Sequence, residues 1–311
     1  MNTMIVNPKT EAEFCLTDGG LETTLIFHYG VELPHFAAFT LLDNDEGKEH
    51  LRKYYSSYLA LAQKHDLRFI LDTPTWRASA DWGAKLGYSS HNLDEINQQA
   101  VRFIRELRAQ TTRASQVLIG GVIGPRGDGY IVAERMTVEQ SKQYHLPQLQ
   151  AFATEGVDIA TALTITYSNE AIGIVAAAQE LEVDVAISFT VETNGHLPSG
   201  ETLAEAIQRT DEQTNAYATY FMINCAHPQH FRTILKDEGK WQQRIWGIRA
   251  NASTKSHAEL DESETLDTGD RNGLAKEYTQ LKELLPNLRI IGGCCGTDHN
   301  HLQAICNQLL S

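Results

Sequence analysis

Short apolar runs alternate along the chain with longer stretches in which apolar residues recur every three or four positions. The short runs are typical of buried strands, and the longer spacing is typical of amphipathic helices. Eight runs are predicted to contain strands, within residues 14–17, 68–71, 117–123, 157–166, 183–190, 217–223, 244–249 and 288–291. This alternation predicts parallel strands with crossover helices, and eight units favour a (β/α)8 TIM barrel over an open sheet.

The stretches between these runs are predicted to be helices. They cover residues 51–62, 93–107, 138–154, 168–181, 202–217, 273–285 and 298–310. Asn92 is a candidate cap for the second of them, and Asp298 for the last. No linker, internal repeat or low-complexity segment divides the chain. We therefore predict a single domain over residues 1–311.

Polar or glycine-rich stretches follow most of the predicted strands. They lie at residues 18–20, 72–77, 124–129, 192–195 and 251–253. In a (β/α)8 barrel the loops that follow the strands gather at one end, where the active site lies. The pattern therefore predicts that these separated stretches meet.

Two adjacent cysteines, Cys294 and Cys295, follow the last predicted strand and have glycines on both sides. Neighbouring side chains of a regular strand point to opposite faces, but glycine allows backbone angles that bring both thiols to one side. Cys225 follows another apolar run, and Pro228 then suits the first turn of a helix. Three thiolates with one open position are typical of a catalytic zinc. The spacing equally allows a strained disulfide between the adjacent cysteines, or buried cysteines that act as small apolar residues.

These cysteines belong to a set of segments that resembles the homocysteine S-methyltransferase family. The segments are Asp-Gly-Gly at 18–20 with Thr23, Asn-Cys at 224–225 and Gly-Gly-Cys-Cys-Gly at 292–296, in the family's order. The resemblance extends from about residue 16 to residue 309. It implies a (β/α)8 barrel in which Cys225, Cys294 and Cys295 hold a zinc ion, and in which Asp18 binds the α-ammonium group of the substrate.

The chemistry implied by the resemblance needs no general base. Zinc binds sulfur in its deprotonated form, so it supplies a thiolate nucleophile directly. We therefore expect methyl transfer from an onium donor to the thiol of homocysteine, which gives methionine. S-methylmethionine, S-adenosylmethionine and betaine all remain candidate donors. The alternatives are the same chemistry on another small thiol or selenol, and a non-catalytic barrel that binds zinc or a thiol.

The stretch after the second strand contains further candidate substrate-binding residues, Thr73, Trp76 and Arg77. The resemblance places Trp76 and Arg77 near the methyl donor. Trp76 could face a cationic donor or simply pack, and Arg77 could bind a donor carboxylate or pair with Asp81. Asn251, after the seventh strand, is a candidate for shaping the site or for a turn.

One position departs from the family's pattern. After the fourth strand, family members commonly have a Glu-Thr pair whose glutamate helps to hold the amino group of homocysteine, whereas this chain has Leu163 there. Leucine accepts no hydrogen bond, so the identity of the acceptor is open. Glu22 is interpreted as a solvated acid in the first turn of a helix. His227 and His230 are interpreted as residues of a helix start, not as ligands.

Composition and charge narrow the function further. The hydrophobic content of 42% and charged content of 21% are ordinary for a globular protein. A formal net charge of -14 at pH 7 argues against nucleic acid and anionic membranes as partners. No apolar run approaches the ~20 residues of a membrane span, and the N-terminus lacks a secretory signal pattern. Five cysteines are few and odd in number, which indicates reduced thiols and a cytoplasmic location. We expect Cys15 and Cys306 in the core.

Overall fold

Eight parallel strands form one closed barrel in the computed structural model, which describes residues 14–132, 134–236, 239–263 and 265–310. The strands follow chain order around the barrel, and β1 also pairs with β8. They are β1 Cys15–Leu16, β2 Arg68–Asp72, β3 Val117–Ile123, β4 Ile159–Ile165, β5 Val185–Phe189, β6 Tyr220–Asn224, β7 Ile245–Ala250 and β8 Ile290–Gly293. The predicted (β/α)8 barrel is confirmed.

Helices surround the barrel and connect successive strands. The α-helices are α1 Leu21–Thr23, α2 Asp45–Lys64, α3 Ala80–Lys85, α4 Ser90–Gln110, α5 Val138–Glu155, α6 Ser168–Glu180, α7 Leu203–Thr214, α8 Pro228–Phe231, α9 His257–Asp261, α10 Arg271–Leu284 and α11 His299–Leu309. A π-helical segment covers Thr24–His28, and 3-10 segments cover Pro34–Phe36, Ala38–Asp43, Ala114–Gln116, Ile234–Lys236 and Lys240–Arg244. Across the part of the chain that the structure describes, no helix is long and apolar enough to cross a membrane.

Two predicted helix caps have different outcomes. Asp298 accepts hydrogen bonds from the backbone N–H groups of Asn300 at 3.0 Å and His301 at 3.1 Å, so its prediction as the cap of α11 is confirmed. The prediction for Asn92 is wrong, because Ser89 caps α4. Ser89 Oγ accepts from the backbone of Asn92, whose side chain in turn accepts from the backbone of Ser89. This reciprocal capping box places the helix start three residues earlier.

Apolar side chains fill the barrel interior at the end where the strands begin. Ile70, Leu118, Met222 and Ile290 belong to a cluster in the barrel interior, and Cys15 joins them at 3% exposure. Packed layers of this kind close the lower end of a (β/α)8 barrel. A separate and larger core lies between the barrel and the helices, and Cys306 is part of it. The predicted core positions of both cysteines are confirmed, and the open space of the barrel lies above the apolar layer.

Candidate active site

One cavity of about 300 Å³ lies at the end of the barrel where the strands finish. Its walls come from residues at or just after the C-terminal ends of β1, β2, β3, β4, β6, β7 and β8. This volume is at the lower end of the range for small-molecule sites, roughly 300–1,000 Å³. The predicted meeting of the loops is therefore confirmed, with one exception. Residues 192–195, after β5, are absent from the part of the cavity wall that the structure describes.

Three cysteine thiols meet in this cavity. The sulfur atoms of Cys225, Cys294 and Cys295 all lie within 4.8 Å of one another. The Cys225 and Cys295 sulfurs are 3.8 Å apart. Two ligands of a tetrahedral zinc ion with Zn–S bonds of about 2.3 Å are separated by roughly 3.8 Å, the edge of the tetrahedron. The donor set of three cysteine sulfurs therefore fits zinc, and the spacing of Cys225 and Cys295 matches two ligands of one ion.

Local backbone geometry brings the thiols together. Cys225 directly follows β6 and has a left-handed backbone, with φ of 55°. Strand β8 ends at Gly293, so Cys294 and Cys295 lie in the turn and escape the alternation of a strand. The turn is completed by Gly296, whose φ is 78°. A side chain at Gly296 would also collide with the carbonyl oxygen of Asp267. Glycine is thus required where the chain turns back.

The structure also joins Cys225 and Cys294 in a disulfide, with a Cα–Cα distance of 5.3 Å. That distance is within the usual range for disulfides. The bond joins cysteines 69 positions apart in sequence. The sequence spacing had suggested instead a disulfide between the adjacent Cys294 and Cys295, and the structure does not have that bond. Because the disulfide consumes two of the three candidate metal ligands, oxidation and metal binding would be alternative states of one site.

Oxidation of the metal-free protein is therefore expected to form the Cys225–Cys294 bond in preference to the adjacent one. Metal binding should then require prior reduction, because a disulfide provides no thiolates. Peptide mapping by mass spectrometry identifies the bonded pair, and zinc analysis before and after reduction measures the block. A majority of Cys294–Cys295 linkage, or full zinc uptake by the oxidised protein, would contradict this expectation.

Burial also affects the remaining thiol. It raises the pKa of Cys295 to about 11, and a hydrogen bond with Tyr130 opposes the rise. At neutral pH the Cys295 thiol is therefore protonated in the metal-free site.

Asn224 supports both the cysteine cluster and the end of β4. Its Oδ1 accepts from the backbone N–H of Thr164 at 2.9 Å and from the hydroxyl of Ser188 at 2.6 Å. Its Nδ2 donates to Thr164 Oγ1 at 2.8 Å and faces the sulfur of Cys294 at 3.9 Å. Thr164 has a φ of 62°, a conformation that costs a β-branched residue about 1–3 kcal/mol. The side chain of Asn224 therefore stabilises the strained backbone of β4 at Thr164 and also contacts the sulfur of Cys294.

Tyr130 covers the thiols from the loop after β3, a position that the sequence did not single out. Its hydroxyl lies 3.6 Å from the sulfurs of both Cys225 and Cys295. Its ring stacks on His257, with ring centres 3.9 Å apart. His257 Nε2 donates to the carbonyl oxygen of Cys225 at 2.7 Å, while Nδ1 lies 3.2 Å from a carboxylate oxygen of Glu192. Through His257, the loop after β5 supports the site without lining it.

Arg249, at the end of β7, forms a buried ion pair with two aspartates and was also missed. One guanidinium nitrogen contacts Asp18 Oδ1, and another lies 2.7 Å from Asp72 Oδ2. Burial alone would lower the pKa of Arg249, but the two carboxylates outweigh it and raise that pKa. Asp18 also accepts from the hydroxyl of Tyr54 at 3.0 Å. The predicted substrate residue Asp18 therefore lines the cavity with both of its oxygens already bonded to protein groups.

Leu163, Trp76 and Arg77 lie next to one another in the cavity wall. Trp76 Nε1 donates to the carbonyl oxygen of Leu163 at 3.4 Å, and the Arg77 guanidinium stacks 3.9 Å above the Trp76 ring. Arg77 also donates to the carbonyl oxygen of Gly127 at 2.9 Å. The suggested pair between Arg77 and Asp81 is wrong, because Asp81 pairs with a different arginine of the loop after β3.

The two remaining predicted site residues are buried and bonded internally. The hydroxyl of Thr73 lines the cavity but accepts from the backbone N–H of Val122 at 2.9 Å and meets the Thr75 hydroxyl at 2.6 Å. Asn251 donates to the carbonyl oxygen of Cys225 at 3.1 Å. The structure thus places Asn251 behind the cysteine cluster, against its backbone.

The interpretation of Glu22 as a solvated acid is wrong, because its side chain is half-buried and lines the cavity. The two histidines near Cys225 are at the start of α8, as predicted. His227 caps that helix by accepting from the backbone of Gln229 at 3.3 Å. His230 contacts the carbonyl oxygen of Thr254 at 2.9 Å.

Comparisons with known proteins identify a common family. The family described as homocysteine S-methyltransferase matches residues 15–309. Homocysteine S-methyltransferase 1 of Arabidopsis thaliana is 23% identical, over 94% of this chain and 93% of its own. Selenocysteine Se-methyltransferase of Brassica oleracea var. italica is 24% identical, over 97% and 91%. The metallated form of the homocysteine methyltransferase MmuM from Escherichia coli has the same fold, with a TM-score of 0.76 at 19% identity over 97% of this chain and 100% of that one.

Proposed function

The chain belongs to the homocysteine S-methyltransferase family, and on that premise we propose that it moves a methyl group from an onium donor to the thiol of homocysteine, giving methionine, with zinc as cofactor. The observation that carries the proposal is the meeting of three cysteine sulfurs in the cavity wall, where a small molecule can reach them. We propose Cys225, Cys294 and Cys295 as the metal ligands. The match over residues 15–309 supports one domain for the whole reaction.

The chain's own groups are suited to hold a zinc ion at these thiols. When bound, zinc would keep the substrate sulfur as a thiolate at neutral pH, which is the nucleophilic form. Asn224 restrains the sulfur of Cys294, and Asn251 restrains the backbone of Cys225. The Tyr130 hydroxyl, 3.6 Å from two of the sulfurs, is positioned to donate a hydrogen bond to the incoming sulfur or to move aside for it. Such supporting contacts commonly fix ligand orientation at metal sites.

The charge of the cavity favours a cationic methyl donor. Among the described residues of the wall, the acidic side chains are Asp18, Glu22, Asp72, Asp128, Asp261 and Asp267, and the basic ones are Arg77 and Arg249. An excess of carboxylates over arginines attracts cations and stabilises a bound onium group. Trp76 contributes an aromatic ring beside this acidic wall. The Arg77 guanidinium already covers one face of the Trp76 ring, so a donor would contact the opposite face or the edge of the ring.

The proposed reaction is a single displacement at the methyl carbon. The substrate sulfur attacks, a new sulfur–carbon bond forms, and the bond between the methyl carbon and the onium centre of the donor breaks. The electron pair of that bond leaves with the donor, which departs as a neutral thioether or amine. The thiol proton is released to solvent before the attack. No oxidant or reductant is consumed, and the work of the chain is to position the two reactants.

Leu163 supports a second acceptor class within the same chemistry. This apolar side chain lines the cavity at the end of β4, where it offers no hydrogen bond to an amino group. We therefore keep another small thiol, or a selenol, as the alternative acceptor.

We propose that the partners of the protein are a small-molecule thiol and a small-molecule methyl donor, with no nucleic acid or membrane. A reducing compartment such as the cytoplasm would keep the thiols of the site in their metal-binding form.

A matrix of donors and acceptors tests the proposal. Reduced, zinc-loaded protein is incubated with one of three methyl donors, S-methylmethionine, S-adenosylmethionine or betaine. Each donor has a deuterated methyl group. Homocysteine, selenocysteine and the deamino analogue 4-mercaptobutyrate serve as acceptors. Mass spectrometry should detect the labelled methyl group on homocysteine with at least one donor. If zinc-loaded protein transferred no methyl group from any donor to any acceptor, the proposed function would be wrong. A non-catalytic barrel that binds zinc or a thiol would then explain the site better.

A further inference from the structure

Three carboxylates lie deep in the cavity, and among the described residues only one of them is open to it and has no hydrogen bond or ion pair with another residue. Asp18 has one oxygen bonded to Arg249 and the other 3.0 Å from the Tyr54 hydroxyl. Asp72 has one oxygen 2.7 Å from Arg249. Its second oxygen has no hydrogen-bond partner, but it is sealed from the cavity and lies where a side chain on Gly120 would be. Both aspartates are therefore already paired with Arg249, and the unbonded oxygen of Asp72 does not reach the cavity.

Glu22 differs from both aspartates. Its side chain is half-buried, lines the cavity, and makes no hydrogen bond or ion pair with another described side chain. Its neighbour in α1, Thr23, accepts through Oγ1 from the backbone N–H of Gly296 at 3.3 Å, directly after Cys294 and Cys295. Glu22 therefore lies on the part of the cavity wall that adjoins the cysteine cluster.

A homocysteine molecule bound by its sulfur would carry an α-ammonium group into this cavity. A buried ammonium group needs a hydrogen-bonded acceptor, because an unpaired charge in such a place costs several kcal/mol. Leu163 cannot serve, and Asp18 is already engaged by Arg249. We propose that Glu22 is the carboxylate that pairs with the α-ammonium group of the thiol substrate. This inference rests on the proposed function, since it specifies how the same site recognises its acceptor.

The electrostatic surroundings of Glu22 are consistent with this role. Burial raises the pKa of Glu22 to about 7, and the neighbouring Asp18 carboxylate adds to the rise. A hydrogen bond from the Glu22 backbone N–H to its own carboxylate, together with Arg249 and Arg77, opposes the rise but does not cancel it. Both arginines are engaged elsewhere, Arg249 by Asp18 and Asp72 and Arg77 by the carbonyl oxygen of Gly127, so neither forms an ion pair with Glu22. A bound ammonium group would supply that partner.

The acidic residues at the cavity mouth are less suited to the role. Asp128 and Asp261 are exposed, so water competes for any ammonium group that they bind. Asp267 is bonded to the hydroxyl of Ser253 at 2.7 Å and lies 3.8 Å from the ammonium group of Lys255. An exposed ion pair contributes little binding free energy.

A Glu22→Gln protein tests the assignment by direct binding, independently of turnover. The substitution keeps the size of the side chain and removes its charge. Glu283→Gln, on the exposed face of α10, is the matched control for the loss of one negative charge. Calorimetric titration measures Kd for homocysteine and for 4-mercaptobutyrate, which keeps the thiol and carboxylate but lacks the amino group. The titrations use zinc-loaded protein in the absence of any methyl donor.

The expected result is selective. Loss of a hydrogen bond to a charged group typically weakens binding by about 10- to 150-fold, so Kd for homocysteine should rise by about that factor in Glu22→Gln. Kd for 4-mercaptobutyrate should change by less than about 3-fold, and Glu283→Gln should match the wild type. An equal change for both thiols, or no change for either, would overturn the proposal. Absence of methyl transfer in the wild type would refute the proposed function while leaving this binding comparison valid.

Discussion

A Cys294→Ser protein is expected to lose its zinc and its methyl transfer together. Cys294 is one of three thiols whose sulfurs lie within 4.8 Å of one another. A serine hydroxyl is a far weaker zinc ligand than a thiolate, and two remaining thiolates make an incomplete site. Even changes to groups that only support metal ligands typically reduce affinity or activity by about 10- to 100-fold. We therefore expect a loss of zinc affinity of more than about 100-fold, measured by competition with a chelator.

The same loss is expected for Cys225→Ser and Cys295→Ser, and the chain contains its own controls. Cys15 and Cys306 are buried in the two cores, at 3% and 2% exposure. Replacing either with serine should lower the free energy of unfolding but leave zinc stoichiometry and turnover unchanged. If Cys294→Ser retained full zinc and full activity, the metal site would be assigned to the wrong residues.

Arg249→Met is expected to be the most destabilising single change in the barrel. It leaves Asp18 and Asp72 buried, at 3% and 5% exposure, without their cation. Removing one partner of a buried ion pair costs about 3–5 kcal/mol, because the other charge is left unpaired. Urea unfolding monitored by circular dichroism measures the change in the free energy of unfolding. Part of the loss should return in Arg249→Met/Asp72→Asn, which removes one of the stranded charges.

Arg126→Met is the matched control for this prediction. Arg126 pairs with Asp81 at 2.8 Å, but the side chains of that pair are 41% and 46% exposed. An exposed pair contributes about 0–1 kcal/mol. If Arg249→Met destabilised the protein no more than Arg126→Met does, the buried ion pair would not be a determinant of stability.

Local sequence pattern was sufficient to predict the barrel and the position of the thiols. The strands are continuous apolar runs because both of their faces are buried, and such runs stand out from the helical spacing between them. Cys225 and Cys294 each come directly after a strand that such a run predicts, so their place at one end of the barrel follows from strand order alone. The pairing of Cys225 with Cys294 depends on backbone angles after two strands, and spacing along the chain does not determine those angles.

The polar layer of the site was harder to predict, because it depends on contacts between distant segments. Arg249 and Asp72 are separated by 177 positions in sequence, and each alone is only a polar residue at a strand end. An arginine inside an otherwise apolar strand run was the available signal, since such a charge needs a buried partner. The interpretation of Glu22 as a solvated acid was wrong for a different reason. An acid in a first helical turn fits a solvated position and a cavity wall equally well, and only the path of α1 over the barrel distinguishes them.

X-ray absorption at the zinc edge tests most directly whether these three thiols form the centre at which homocysteine reacts. Reduced, zinc-loaded protein should give three sulfur neighbours at about 2.3 Å, and addition of homocysteine should raise that number to four. The Cys294→Ser protein should not give this change. Zinc that keeps the same sulfur count after homocysteine is added, or that has no cysteine sulfur among its neighbours, would contradict the assignment of the active site.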